Sequence, residues 1–295
     1  MGADTVLSIG NSQLHQVVEV RIPNTIDYFT QDEALIEANR CWLAPHFLDE
    51  NNGFDLVFRS FIFEADGRVV LVDPCTGNGK PHPIPFFDNL DVPFIELLGE
   101  TGFRPEDVDF VVCTHLHHDH CGWNTELRDG KWVPTFPNAR YIMQRSEYLR
   151  WGPEADKHPE FALNVGVFEQ SVRPVVEAGL ADLVDGAHRL TPDLGVEPAP
   201  GHTLGHQLLR LVSGDAEALF CGDCFHHPIQ LVDPMIPFGD AEDQTLVEEM
   251  RRKLAARAAD TGALLIPAHL PEPCGVRAWR EGAKISFAAA APDFR

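Results

Sequence analysis

The chain has 295 residues, of which 44% are hydrophobic and 23% charged, a composition typical of a folded globular protein and not of a disordered one. Its 45 acidic and 23 basic side chains give a formal net charge of -22, which disfavours nucleic acids, anionic membranes and polyanionic substrates as partners. The first residues lack the features of a signal peptide or membrane helix, and the seven cysteines are odd in number. We therefore expect a cytoplasmic protein with unpaired thiols.

Strand and helix signals interleave along the chain without a repeat or a linker. This pattern predicts a single α/β domain over residues 1–295, with roughly the first 50 residues packed on it as an extension. Thr30 to Glu33 has the Ser/Thr-x-x-Glu spacing of a capping box and predicts a short helix that ends near Arg40. The segments 54–63 and 68–72 are rich in aromatic and branched residues, and the Asp-Gly pair between them predicts a β-hairpin.

Farther along the chain, apolar runs predict further helices and strands. Residues 91–100 read as a helix that stops near Gly102, and residues 243–260 read as an amphipathic helix that is followed by Gly262. Short strands are expected at 109–113, 206–212, 217–221 and 263–267. Each of these strands lies beside a histidine or an aspartate, so loops at the strand ends could assemble a site.

The segment THLHHDHCGW, which follows the strand at 109–113, holds four of the fourteen histidines of the chain. So many unpaired imidazoles beside a carboxylate would need many hydrogen-bond partners, whereas a divalent cation of the zinc type satisfies them together. Side chains alternate in an extended segment, so His115 and His117 point the same way and His118 points away. The turn at Asp119 and His120 aims a second pair elsewhere, and this spacing predicts two adjacent metal ions.

Two ions need more ligands than one loop supplies, and three candidates stand downstream: His202, Asp223 and His269. Each follows or ends a strand-like stretch, and each is flanked by Gly, Pro or Ala, which leave room for the backbone to turn towards a site. We predict two divalent ions, with Zn²⁺ first and Mn²⁺, Fe²⁺ or Co²⁺ as alternatives, because histidine and aspartate do not identify the metal.

The motif His115-x-His117-x-Asp119-His120, followed by Gly201-His202, Gly222-Asp223 and Ala268-His269, resembles the metallo-β-lactamase fold superfamily. The resemblance runs from about Phe54 to His269 and implies an αββα four-layer sandwich with a binuclear site between the sheets. It implies three ligands for each metal and a bridge: His115, His117 and His202 for the first, Asp119, His120 and His269 for the second, and Asp223 for both. Two further residues, Asp73 and His206, match positions that support the ligands.

Within the superfamily, the ligand set is similar to that of the quorum-signal lactonase and methyl parathion hydrolase branch. The resemblance implies a hydrolase in which a metal-bound hydroxide attacks a small, partly apolar lactone or ester. Trp123 stands where many members have a second glycine, which predicts a narrower and more apolar pocket rim. We name Asp119 and His226 as catalytic candidates, the latter as a donor to the substrate oxygen. His227 precedes Pro228, which restricts its backbone and points its ring elsewhere.

Several alternatives stay open at this point. The same fold also carries iron-dependent sulfur dioxygenases and other oxidoreductases, as well as phosphotriester and β-lactam hydrolases. A non-catalytic metal-binding protein is a further class, although a complete ligand set with an open water position argues against it. Cys221 and Cys224 form a C-x-x-C motif that brackets Asp223, and we favour packing over redox chemistry for that pair. A small-molecule substrate is the expected partner, and a homodimer is one option for the oligomeric state.

Overall fold

A computed structural model of the chain describes residues 5–153, 159–239 and 241–294. Its strands are β1 Thr5–Ile9, β2 Ser12–Thr25, β3 Gly53–Ala65, β4 Arg68–Val72, β5 Phe110–Val112, β6 Thr125–Arg128, β7 Lys131–Pro134, β8 Arg140–Gln144, β9 Ala181–Val184, β10 His188–Arg189, β11 Leu194–Pro198, β12 Gln207–Ser213, β13 Ala216–Gly222, β14 Leu264–Pro267, β15 Val276–Glu281, β16 Lys284–Ala289 and β17 Asp293–Phe294. The helices are α1 Glu33–Leu43, α2 Phe94–Glu100, α3 His118–Cys121, α4 Arg145–Arg150, α5 Arg173–Glu177, α6 Ile229–Val232 and α7 Gln244–Thr261. In these ranges no helix has both the length and the apolar character that a membrane crossing requires.

The strands form two large sheets and one small hairpin. The first sheet has eight strands in the order β17-β1-β2-β3-β4-β5-β8-β9, and the second has seven in the order β10-β11-β12-β13-β14-β15-β16. Strands β4, β5, β8 and β9 pair in parallel, as do β13 and β14. The carboxyl ends of parallel neighbours lie at the same sheet edge, so the loops that leave them lie side by side.

Alternating side chains along the strands build four layers. Val112 and Leu264 point into an apolar cluster that both sheets share, which places the two sheets face to face. The neighbouring Val111 packs on the outer side of the first sheet with residues of α2 and α5, and Leu265 packs on the outer side of the second with residues of α1 and α7. The order is therefore helix, sheet, sheet, helix, which confirms the predicted αββα sandwich.

Most of the predicted elements are present. The hairpin is formed by β3 and β4, and the amphipathic helix is α7, which ends at Gly262 in the left-handed region. The helix near Arg40 begins at Glu33, because Asp32 and not Thr30 is its N-cap and accepts a hydrogen bond from the Leu35 N–H. The predicted capping box is therefore wrong. The helix at 91–100 also begins late, at Phe94, with Pro93 as its N-cap.

The N-terminal residues contribute two strands to the first sheet. Strand β2 pairs with β3 along most of its length, and the register shifts between Val18 and Val20, so that Glu19 is the extra residue of a β-bulge. That pairing joins the segment closely to the rest of the sheet. A single domain over 1–295 with an N-terminal extension stays a prediction.

Candidate metal centre

Every predicted ligand lies at the carboxyl end of a strand. The loop after β5 carries His115 and His117 and enters the short helix α3, which carries Asp119 and His120. The second sheet contributes one side chain from each of three loops: His202 after β11, Asp223 after β13 and His269 after β14. Both sheets thus supply side chains to one end of the sandwich.

The first group of donors consists of His115, His117 and His202. Nδ1 of His117 lies 3.0 Å from Nε2 of His115 and 2.9 Å from Nε2 of His202. A neutral imidazole nitrogen has either one proton or one lone pair, so these contacts cannot all be good hydrogen bonds at once. Three nitrogens that converge in this way suit a single cation.

The second group consists of Asp119, His120 and His269. Oδ2 of Asp119 lies 3.4 Å from Nε2 of His120 and 3.5 Å from Nε2 of His269. His120 and His269 are buried, whereas Asp119 and His117 are only half-buried. The cluster is therefore more open on the side of Asp119 and His117.

Asp223 lies between the two groups. Its Oδ2 is 3.4 Å from Nε2 of His202 in the first group and 3.3 Å from Nε2 of His120 in the second. Its Oδ1 is 3.1 Å from Nε2 of His269. Oδ1 of Asp223 and Nε2 of His120 are buried, and neither makes a well-formed hydrogen bond to any described residue. Both atoms are thus available as ligands, which fits the predicted bridging position.

The protonation states of two histidines and of both carboxylates suit metal binding directly. Burial holds the pKa of His115 well below its usual value and lowers the pKa of His202 to about 3, so both rings are neutral near pH 7. Burial raises the pKa of Asp119 and Asp223, but the surrounding histidines outweigh it and hold both values well below the usual range. Neutral imidazole and ionised carboxylate are the forms that ligate divalent ions. Burial lowers the pKa of His120 and His269, but Asp223 and Asp119 outweigh it and raise both values, so these rings hold a proton more readily and a cation would displace it.

Asp73 supports the first loop, as expected from the sequence. Its Oδ1 accepts a hydrogen bond of 2.7 Å from the Thr114 N–H, and its Oδ2 accepts one of 2.9 Å from the Thr114 hydroxyl. The same Oδ2 lies 3.0 Å from Nδ1 of His120. Such an outer carboxylate fixes the orientation of a ligand ring and increases its basicity.

His206 supports the bridging residue, because its Nε2 accepts a hydrogen bond of 3.1 Å from the Asp223 N–H. Gly222 lies directly before Asp223 with a φ of 50°, and a Cβ there would stand 2.6 Å from both Nε2 of His206 and Oγ1 of Thr114. Only glycine allows the chain to pass this closely between the two loops.

His226 lies inside the cluster and not at its edge. Its Nε2 is 3.1 Å from Oδ2 of Asp223, and its ring stacks on Phe238 with centroids 3.6 Å apart. His226 is 3% exposed, so the ring is fixed. His227 turns away as predicted, and its Nε2 lies 2.9 Å from the carbonyl oxygen of Phe47.

Other residues singled out from the sequence lie outside the cluster. The His118 ring packs against His82 and Phe87, with centroids 4.0 and 4.8 Å away. Cys221 and Cys224 are unpaired, and burial raises the pKa of the Cys221 thiol to about 12, which opposes redox chemistry.

Two carboxylates that the sequence did not single out lie beside the ligand loops. Glu19 and Glu147 are 8% and 1% exposed. Glu147 accepts a hydrogen bond from the Leu116 N–H of the first ligand loop, and Glu19 accepts one from the Gly77 N–H of the loop that begins at Asp73. Neither stands in a recognisable motif. Their partners are distant in sequence, so no local signal identifies them.

A four-layer αββα sandwich with a histidine and aspartate cluster at one end of its sheets defines a class of metal-site proteins. Residues 59–269 match the model of the metallo-beta-lactamase superfamily, which is more than half of the chain. The chain belongs to this superfamily. This membership confirms the resemblance drawn from the motifs and agrees with the predicted class of metal-dependent hydrolase.

The curated relatives include N-acyl homoserine lactonases. The chain is 24% identical to one from Bacillus sp. over 158 residues, which span 54% of each chain, and so covers about half the length of that relative. It is 23% identical to one from Bacillus cereus over 233 residues, which span 74% of this chain and 84% of the relative. Among solved structures, the dizinc quorum-quenching lactonase AidC aligns over 98% of both chains with a TM-score of 0.73 and 18% identity, which shows a shared fold.

Proposed function

We propose that the chain is a binuclear metal-dependent hydrolase that opens a small, partly apolar lactone or cleaves a related ester. The observation that carries this proposal is the position of Asp223 between two groups of three donors. Its Oδ2 lies 3.4 Å from Nε2 of His202 in the first group and 3.3 Å from Nε2 of His120 in the second. The names of the Bacillus relatives, both N-acyl homoserine lactonases, support the substrate class. The charge of -22 favours a neutral or singly charged substrate over a polyanion.

The donor set fits two divalent ions of the zinc type. His115, His117 and His202 would hold one ion and Asp119, His120 and His269 the other, with Asp223 shared between them. When bound, two such ions supply a hydroxide near neutral pH and a positive charge beside the carbonyl oxygen of the substrate. Nitrogen and carboxylate ligands favour Zn²⁺, and they also accept Mn²⁺, Fe²⁺ or Co²⁺.

Asp119 is suited to move a proton during the reaction. Once the carbon–oxygen bond of the lactone breaks, the departing oxygen must gain a proton. The Asp119 side chain is 12% exposed, against 5% for Asp223, so it is the more accessible carboxylate of the cluster. Its Oδ2 faces His120 and His269, whereas its Oδ1 lies 3.7 Å from Nε2 of His118 and is the oxygen that would hold and return the proton.

His226 is suited to stabilise the negative charge that grows on the substrate oxygen. Its Nε2 already points into the cluster, and stacking on Phe238 fixes the ring plane. A donor that is oriented before the reaction loses little entropy when the charge develops. In the proposed mechanism the Nε2–H, which faces Oδ2 of Asp223 in the structure, would turn part of its hydrogen bond to the carbonyl oxygen of the substrate, while stacking on Phe238 keeps the ring in place.

An apolar part of the substrate would find apolar neighbours near the cluster. Leu204, two residues after His202, is 56% exposed, and Leu163 is 46% exposed. The segment of Leu163 is tied to the ligand loop, because the Asn164 side chain donates a hydrogen bond of 2.9 Å to the carbonyl oxygen of Leu116. Exposed apolar side chains beside a polar centre are typical of a ligand-binding rim.

The experiment combines metal analysis with a substrate panel. Protein purified without chelators and supplied with zinc is expected to hold about two ions per chain and to release acid from lactones or esters without a redox cofactor. A His117→Ala variant should lose activity, whereas a variant at the exposed His188 should keep it. One ion or none per chain, or oxygen consumption coupled to turnover, would exclude the proposal and favour the dioxygenase alternative in the second case.

A further inference from the structure

Glu147 is the buried carboxylate of α4, and only 1% of its surface is exposed. We propose that Glu147 is a positioning residue that fixes the geometry of the three-histidine group by tying its two loops together. This inference rests on the proposed function, because it assigns a role at the same metal centre.

The carboxylate contacts both loops directly. Oε2 of Glu147 accepts a hydrogen bond of 3.1 Å from the N–H of Leu116, the residue between His115 and His117. Oε1 accepts one of 3.0 Å from the N–H of Gly205, three residues after His202. The first loop leaves β5 of the first sheet and the second follows β11 of the second sheet. One side chain therefore links ligand loops from opposite sheets.

The surrounding contacts fix the carboxylate in this place. Trp151 donates a hydrogen bond of 2.8 Å from Nε1 to Oε2 of Glu147, and its ring packs edge-on against His117 with centroids 5.0 Å apart. A Cβ on Gly205 would stand 2.5 Å from Oγ of Ser146 and 2.8 Å from Oε1 of Glu147. The approach of the second loop to α4 is thus as close as the backbone allows.

The chemistry of the contacts requires an acceptor on both oxygens. Burial raises the pKa of Glu147, while the Thr203 side chain, the Leu116 N–H and the Trp151 indole N–H favour the ionised form. A carboxylate has acceptors only, whereas an amide has one acceptor and one donor group. In Glu147→Gln the carbonyl can keep Leu116 and Trp151, but the NH₂ group then faces the Gly205 N–H. The link between the loops breaks on the side of His202.

Glu147→Gln should weaken the binding of the ion in the three-histidine group and leave the binding of the other ion unchanged. We expect zinc titration against a chromogenic chelator to show one ion bound about 10- to 100-fold more weakly than in the unaltered protein. His117 belongs to the three-histidine group, so adding His117→Ala to Glu147→Gln should leave the binding of the ion in the other group unchanged. His269 belongs to that other group, so adding His269→Ala to Glu147→Gln should weaken the binding of both ions. Glu217→Gln is a matched control, because Glu217 pairs with Arg210 and Arg257 at the other end of β13.

The outcomes separate a positioning role from a merely structural one. A general loss of packing would weaken the binding of both ions alike, and a contact without a positioning role would leave the binding of both unchanged. Either result in a folded variant overturns the inference. Gly205→Ala provides an independent test and should weaken the same ion as Glu147→Gln. If the unaltered protein binds two ions without hydrolysing any ester or lactone, the proposed function fails while this titration still tests Glu147.

Discussion

The indole Nε1 of Trp123 donates a hydrogen bond of 2.8 Å to Oε1 of Glu19, a residue that lies 104 positions earlier in the chain. The same carboxylate accepts the N–H groups of Thr76 and Gly77, both at 2.9 Å. The backbone N–H of Trp123 in turn donates to the carbonyl oxygen of Pro74 at 2.6 Å. Glu19 thereby connects strand β2 with the loop that begins at Asp73 and with the segment that follows the ligand helix.

Replacing Glu19 by Gln should lower the free energy of unfolding by about 1–3 kcal/mol, because the new NH₂ group must face a buried N–H donor. Urea unfolding of the metal-free protein measures this loss. Trp123→Phe should cost less, and the double variant should cost less than the sum of the two, since both changes act on the same set of hydrogen bonds around one buried group. Glu64→Gln on the exposed part of β3 is the control. Strict additivity of the two changes would show that Glu19 and Trp123 are not energetically coupled.

Asp223→Ala should reduce the affinity for both ions, because Asp223 lies between the two donor groups. His269→Ala is the matched comparison and should weaken mainly the second ion. Zinc titration of the two variants measures the difference. Retention of one ion at full affinity in Asp223→Ala would refute the bridging assignment.

His226→Ala should keep both ions and the fold but lose about 10²- to 10³-fold in turnover, the usual effect of removing one donor to a growing negative charge. The Michaelis constant should change little, because the donor acts mainly in the transition state. His227→Ala alters the neighbouring ring, which faces Phe47, and is a useful comparison for local packing damage. Loss of an ion from His226→Ala would instead make His226 a ligand.

Acid should destabilise the protein through His227. Burial lowers the pKa of His227 from its usual 6.5 to about 4 in the folded state. Between these values the unfolded chain binds the proton and the folded chain does not, so the stabilising contribution is complete above pH 6.5 and is lost as the pH falls towards 4. The loss amounts to roughly 3 kcal/mol. The free energy of unfolding of His227→Gln should therefore fall less steeply between pH 6.5 and pH 4 than that of the unaltered protein. His188→Gln is the control, and the same pH dependence in both variants would contradict the prediction.

The sequence predicted the cluster of histidine and aspartate side chains better than the residues that support it. His115, His117 and Asp119 stand in one short motif, and the downstream candidates each follow a strand, so local spacing was informative. Glu147 meets Leu116 from 31 positions away, and no pattern around either residue signals the contact. Such pairings depend on the packing of the sheets, which a local reading of the chain does not contain.

The helix boundaries illustrate a second limit. Thr30 has the spacing of a capping residue, yet its hydroxyl accepts the N–H of Asp32, and Asp32 is the N-cap because its carboxylate accepts the N–H of Leu35. At α2, Pro93 precedes the first helical residue and delays the start. Strand β2 has 14 residues and was not predicted, since its burial alternates only in part and a bulge interrupts its period.

The origin of the ligands has a mechanical consequence. Each donor group takes two side chains from the loop and helix after β5 in the first sheet and one, His202 or His269, from the second. All seven cysteines are unpaired thiols, so no disulfide bond joins the two sheets. Ions held at this end would act as reversible cross-links between the two sheets. Chelation would then remove the cross-links at one end of the sandwich, while the apolar cluster between the sheets would still stabilise their packing.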